Sequence, residues 1–330
     1  MKKALGLVGV VLGCAAVQVW GQTKAPKAER AKRSGAPSAG PATTQFQIRN
    51  VNFRIDESIT LEIAWLRGEL LSNEPGKLPT FDDKASLLMK IDAGEVAMST
   101  ASFTDLMNRY VFNYPGAPLT NIRVSTEGDL LRQEATMHNT VPTEMVGSLA
   151  ALPDGRIRFR PNTIRAAGVP AKKLMDAVGL QTSKLVKGTD PRGVDIVGDD
   201  LIMDLNVLMP PPRVRAKVSG VRIEGDRIVQ TFGGKDAAAA REELAPPDKE
   251  AANYMYYRGG TIRFRKFIME DTDVQIVDAD PGDPLDYSLE RYFDQIVAGQ
   301  SRNTSNGAQV TSVPDYHDLQ RRGSSEQPAP

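Results

Sequence analysis

Apolar and polar positions alternate in short runs from Phe46 to Phe232, several of them bounded by Gly, Pro or Asp. FQIRNVNFRI opens the series. In SITLEIAWL, Ile59, Leu61, Ile63 and Trp65 alternate with Thr60, Glu62 and Ala64, the period of two that marks half-buried strands. KASLLMKIDAGEVAMS, LTNIRVST, LLRQEATMH, EMVGSLAAL, GRIRFRPNTI, LIMDLNVLM, RVRAKVSGVRI and DRIVQTF continue it. Between them EGD, PDG, GDD and a second EGD put Gly beside Asp. Glycine supplies the positive φ of tight hairpins, so the series predicts an antiparallel meander.

Three stretches carry a helical period instead. SFTDLMNRYVF sets Phe103, Leu106, Met107, Tyr110 and Val111 on one face, with Ser102 as N-cap and YPG at 114–116 as the stop. PAKKLMDAVG predicts a second helix over 170–179. SLERYFDQIVAG predicts a third, with Leu289, Tyr292, Phe293, Ile296 and Val297 on its apolar face. The fold class expected is α+β, predominantly antiparallel β: a long curved β-meander wrapped around an amphipathic helix as a half-tube.

Residues 201–218, LIMDLNVLMPPPRVRAKV, sharpen that picture. Leu201, Met203, Leu205, Val207 and Met209 form one apolar register, and nine residues read as one strand span about 30 Å. Three prolines mark a corner, since proline cannot donate to a ladder. With Ile157, Phe159 and the face of Phe103, Leu106, Met107, Tyr110 and Val111, this register is the candidate lining of an apolar groove. Cations coat the opposite registers: Arg156, Arg158 and Arg160 in one strand, Arg213, Arg215 and Lys217 in another. They are the candidate membrane-facing surface. A packed core with a solvated basic face is the alternative, and composition leaves both open.

Composition narrows the function classes. In 330 residues, 41 Lys and Arg balance 41 Asp and Glu, which argues against nucleic-acid binding. The opening MKKALGLVGVVLGCAAVQVWGQ has a cationic start and a short apolar run, the form of a targeting segment. Two readings compete: residues 1–21 are removed as a signal peptide, or 1–13 are removed and Cys14 is lipidated. Either places the chain outside the cytoplasm, in the periplasm of a bacterial envelope. Cys14 is the single cysteine, so no intrachain disulfide forms. Domain boundaries follow: a flexible linker over 22–44, the meander over 45–233, a linker over 234–252, a β/α extension packing on the domain over 253–300, and a mostly disordered tail over 301–330.

Catalytic chemistry is sparse. His138 and His317 are the only histidines, and no nucleophile elbow, phosphate loop or dinucleotide fingerprint occurs. No cofactor or metal is expected, and each histidine reads as solvated or capping. DTDVQIVDADPGDPLD (271–286) clusters carboxylates but lacks the calcium-loop spacing, and reads as a turn with capping Asp residues. A glycan hydrolase using Asp278 or Asp280 is a residual alternative to a non-enzymatic protein. Tyr254, Met255, Tyr256 and Tyr257 read as a half-buried strand.

The order of these pieces resembles exported bacterial proteins of the LmeA-like family, related to the tubular lipid-binding (TULIP) superfamily. The resemblance spans about residues 46–233. It rests on SFTDLMNRYVF after a strand ending in Met98 and Ser99, on PDGRIRF, on AAGVPAKKLMDAVG, and on GVDIVGDDLIMDLNVLMPPPRVRAKVSGVRIEGDRIVQTFG. It implies a TULIP-like sheet around a helix, an apolar groove for the acyl chains of a phospholipid-like amphiphile, and no catalysis. An anionic membrane surface is the expected partner of the basic rows. Residues 253–300, outside the resemblance, offer a surface for an envelope protein partner.

Overall fold

In the computed structural model, residues 43–137, 139–170, 193–234 and 244–319 are described. The targeting segment, the 22–44 linker up to residue 42, Cys14, His138 and all of the second predicted helix beyond Pro170 lie outside them. β1 (Thr44–Arg54) and β2 (Thr60–Ser72) form the first hairpin. Its loop is closed by Asp56, whose Oδ1 accepts from the Ser58 and Ile59 amides at 2.8 and 2.9 Å. β3 (Leu87–Ser99) returns beside β2. α1 (Thr100–Leu106) follows at once and continues as one π-helical turn, Met107–Val111.

The N-cap of α1 is Ser99, whose hydroxyl accepts from the Ser102 amide, so the expectation of Ser102 is corrected by three residues. Ser102 is instead buried and accepts from the Thr60 amide at 3.2 Å. The π turn inserts one residue per turn. It keeps Leu106, Met107 and Val111 buried while Tyr110 swings toward the β1–β2 loop.

β4 (Leu119–Glu127), β5 (Leu130–Met137), β6 (Val141–Ala151) and β7 (Ile157–Ala166) form the expected meander as a second sheet. β8 (Val169–Pro170) folds back on β7, so the predicted helix over 170–179 does not begin at Pro170. β9 (Val194–Val197) and β10 (Asp200–Met203) complete that sheet. The nine-residue strand expected over 201–209 ends at Met203. Asp204 then accepts from the Asn206 amide and starts α2 (Leu205–Leu208), which the prolines stop.

β11 (Arg213–Arg215) pairs parallel with β3. β12 (Val218–Glu224) and β13 (Arg227–Phe232) form a hairpin whose second strand runs antiparallel to the rest of β3. β14 (Tyr254–Arg258) pairs with the first half of β1. It is buried on both faces, not half-buried. GTIRFRKFIM is a hairpin, β15 (Thr261–Phe264) and β16 (Phe267–Glu270), rather than one strand. β17 (Asp273–Asp278) lies beside β14, and β18 (Leu285–Ser288) pairs parallel with the second half of β1. The exchange of partners along that edge falls at Asn50, held at φ 51°.

α3 (Tyr292–Ala298) is shorter than its sequence pattern, and Val297 is exposed. β19 (Gln300–Asn303) and β20 (Gln309–Val313) extend the first sheet, so the tail expected to be disordered is structured to residue 319. The first sheet therefore runs β12-β13-β3-β2-β1-β14-β17-β20-β19. β14, β17, β18, β19 and β20 belong to that sheet, β15 and β16 form a two-stranded sheet of their own, and the described residues belong to one compact unit. The sheets are predominantly antiparallel and include one curled as a half-barrel.

Bulges bend the strands at Gly68 and Gly147. A Cβ at Gly68 would sit 2.0 Å from the Lys90 carbonyl oxygen, and one at Gly147 would sit 2.1 Å from that of Arg160. Only glycine permits strands to approach so closely. α1 packs against β3 and β4, and one core cluster takes residues from both sheets and from α1. Leu106 and Val111 are fully buried there, each burial contributing about 1.5–3 kcal/mol.

Candidate functional site

The segment from β10 to β12 works as a strap across the inner residues of β1, β2, β3 and β13. Asn206 clips it: Oδ1 accepts from the Ala216 amide at 2.7 Å and Nδ2 donates to the Ala216 carbonyl at 3.3 Å. Leu205, Met209, Pro212 and Val214 then face Phe53, Leu61, Met89 and Met98, leaving an apolar cavity of about 40 Å³. Gln230 is the single polar residue in its lining. An almost wholly apolar lining disfavours water there, and it includes Met89, Met98 and Met209, whose flexible thioethers adapt to a guest.

A cleft of about 870 Å³ opens on the other side of the same strap. Lys90, Arg215, Lys217 and the turn at 152–155 line it, and Ile91 borders both the cavity and the cleft. On β11 the alternation of the strand divides the two spaces: Val214 faces the cavity and Arg215 the cleft. Lys90 is paired with Glu69 at 3.0 Å. Arg215 and Lys217 are exposed and without an ion pair among the described residues.

Of the residues expected to line a groove, Leu205 and Met209 reach the cavity. Phe103, Leu106, Met107, Val111, Ile157, Phe159, Leu201 and Met203 are buried in the common core. Ile157 faces Met203 and Phe159 faces Leu201 across β7 and β10. Val207 is corrected: the helical turn sends it outward, 47% exposed. Tyr110 is half-buried, and its hydroxyl donates to the Asp56 carboxylate. Burial, then Asp56, pushes this phenol up to about 12. Burial acts to raise Asp56 as well, yet its bonds from Tyr110, Ser58 and Ile59 hold it below the usual carboxylate range. Tyr110 therefore anchors a loop rather than facing a ligand.

The basic rows divide. Arg156 pairs with Asp154 and Asp195, and Arg160 forms a two-pronged pair with Asp200 at 2.9 and 2.7 Å. Arg158 stands 3.9 Å from Asp200. That row, expected to face a membrane as free charge, is neutralised in place. Arg213, like Arg215 and Lys217, is exposed without an ion pair among the described residues.

Two carboxylates of 271–286 act as turn caps: Asp278 accepts from the Asp280 amide and Asp280 from the Gly282 amide. A group not foreseen lies beside them. Asp286, held by Arg54 at 2.5 Å, accepts from His317 Nδ1 at 3.1 Å, so His317 is a half-buried partner rather than a solvated one. Asp315, His317 and Asp318 bring ligand atoms within 4.8 Å of one another. Burial, with Asp278 and Asp283 adding to it, raises Asp315 to about 6.

Residues missed by the sequence reading are Met89 and Met98, whose alternation along KASLLMKIDAGEVAMS was visible without indicating what they would face. Among the described residues no helix is long and apolar enough to cross a membrane. Comparison with protein-family models, curated proteins and solved structures finds no match.

Proposed function

We propose that this chain is a non-enzymatic binder of an anionic, acyl-bearing amphiphile of the cell envelope. The observation that carries the reading is the division of the strap: an apolar cavity lined by methionines on one side, and on the other a cleft with Arg215 and Lys217, which make no ion pair among the described residues. An amphiphile demands that division, with tail and head separated by one strand. Each methylene taken from water contributes about 0.8 kcal/mol, so chain burial dominates affinity and the cations select the head. The cavity is smaller than an acyl chain, so uptake lifts residues 205–214 from β3 and lets the methionines repack.

Native mass spectrometry of protein purified without detergent tests this reading. The expected result is a bound lipid, lost on Leu205→Trp and weakened on a combined Arg215→Glu and Lys217→Glu exchange. A clean unliganded mass with no uptake of a fluorescent fatty acid overturns it. The small size of the cavity favours a second reading, an envelope interaction protein with a filled core, and the unliganded result would select it.

A further inference from the structure

The β15–β16 hairpin ends in apolar side chains turned to water. Phe267 is 71% exposed and Ile268 50% exposed. Arg263 and Ile268 are registered opposite each other, as are Phe264 and Phe267. The two-residue turn is Arg265 and Lys266, with Arg265 held at φ 53°. Arg263 and Lys266 are exposed and make no ion pair among the described residues. The single acidic residue of the hairpin, Glu270, stands at its far end, beside Asp271.

This tip is braced rather than loose. The Arg265 amide donates to Asp82 at 2.6 Å, and its guanidinium pairs with Asp82 at 3.3 Å while covering the Phe293 ring at 4.3 Å. Phe264 stacks on Phe81 at 4.2 Å between centroids. One turn along α3 from Phe293, Val297 is also exposed, at 67%. A rigid prong with two apolar residues at its end, and beside them two cations without an ion pair among the described residues, matches a layered surface: apolar just below, anionic at the rim. A stable protein partner needs about 800 Å² on each side, more than the end of one hairpin offers.

We infer that the 261–270 hairpin docks the protein on an anionic lipid bilayer, with Phe267 and Ile268 entering the interface and Arg263 and Lys266 resting on head groups. The docking site stands apart from the strap, and does not depend on whether the cavity takes an acyl chain.

Sedimentation of the full chain with phosphatidylglycerol vesicles, against phosphatidylcholine vesicles, is the test. Wild-type protein should pellet with the former, and about 0.5 M salt should release most of it. A combined Arg263→Gln and Lys266→Gln exchange should weaken binding about 30-fold, from two cations near a charged surface. Phe267→Ser with Ile268→Ser should weaken it about tenfold or more. All four side chains are exposed, and an unchanged melting curve certifies each variant. Fluorescent fatty-acid uptake should survive both exchanges, which separates failure of the docking site from failure of the cavity. Equal binding to both vesicle types, or pelleting unaffected by the substitutions, overturns the assignment. A wild-type dimer in sedimentation velocity, lost in Phe267→Ser with Ile268→Ser and without vesicle binding, would give the tip to a second copy of this chain and also overturn it.

Discussion

Replacing Asp315 by Asn should stabilise the protein at neutral pH and change nothing near pH 4. Asp315 is 4% exposed, and its Oδ1 accepts from the Asp286 amide at 2.6 Å. Burial, opposed by the Asp286 amide and by His317 and reinforced by the nearby Asp278 and Asp283, raises its pKa from 3.8 to about 6. Between those two values the folded protein keeps a proton that the unfolded chain has lost. The native state then binds more protons, so stability falls as pH rises through that window. A difference of about two pKa units corresponds to about 3 kcal/mol, lost in full by about pH 7. Asn keeps the acceptor oxygen and never ionises. Urea unfolding followed by tryptophan fluorescence from about pH 4 to pH 7 reads the effect. The variant should gain on wild type steadily, reaching about 3 kcal/mol at the upper end. A difference that stays constant with pH, or a variant less stable at pH 7, would refute the reasoning.

Gly147→Ala should lose about 3 kcal/mol or more, because its Cβ meets the Arg160 carbonyl at 2.1 Å, whereas Gly220→Ala, with its nearest neighbour at 3.5 Å, should stay within about 0.5 kcal/mol; chemical denaturation of the two variants checks the contrast. Tyr287→Phe should gain about 1 kcal/mol in the same assay. The hydroxyl of this fully buried tyrosine has no hydrogen-bond partner among the described residues, and its removal relieves a desolvated donor.

The parts of the fold that depend on neighbours in sequence were legible. β4 to β7 follow from alternation and from turns such as EGD and PDG, where Gly128 and Gly155 take positive φ. Residues 205–209 were misread because Leu205, Val207 and Met209 fit a strand while Leu205, Leu208 and Met209 equally fit a helical turn. The deciding signal was present: Asp204 caps the turn and Pro210 stops it. The RFRKF hairpin was hidden because its turn lacks glycine and forces Arg265 to φ 53°. The turn at SNG was readable, with Gly307 at φ 87°, but low apolar content masked the strands on either side.

Of the candidate site, the apolar residues were legible and their destination was not. Alternation shows that Leu201 and Met203 are buried, but cannot distinguish a wall of a cavity from packed core. The cations beside Asp195 and Asp200 looked free, since pairing across β7, β9 and β10 is a matter of register. Gln47, which bonds both the amide and the carbonyl of Leu244, and Gln275, which does the same for Asp248, dock residues 244–252 expected to be linker. Nothing local marks such side chains.

The edge of β1 is shared by β14 and β18, some 200 residues later in the chain. Among the described residues the first strand therefore waits for some of the last before its hydrogen bonds are complete. Loop closure over that distance precedes the reward of pairing, which makes folding slow. During the interval β1 presents an open edge carrying Phe46, Ile48 and Phe53, a template for wrong partners. Late closure of the sheet thus lengthens the time in which that edge is open to other chains.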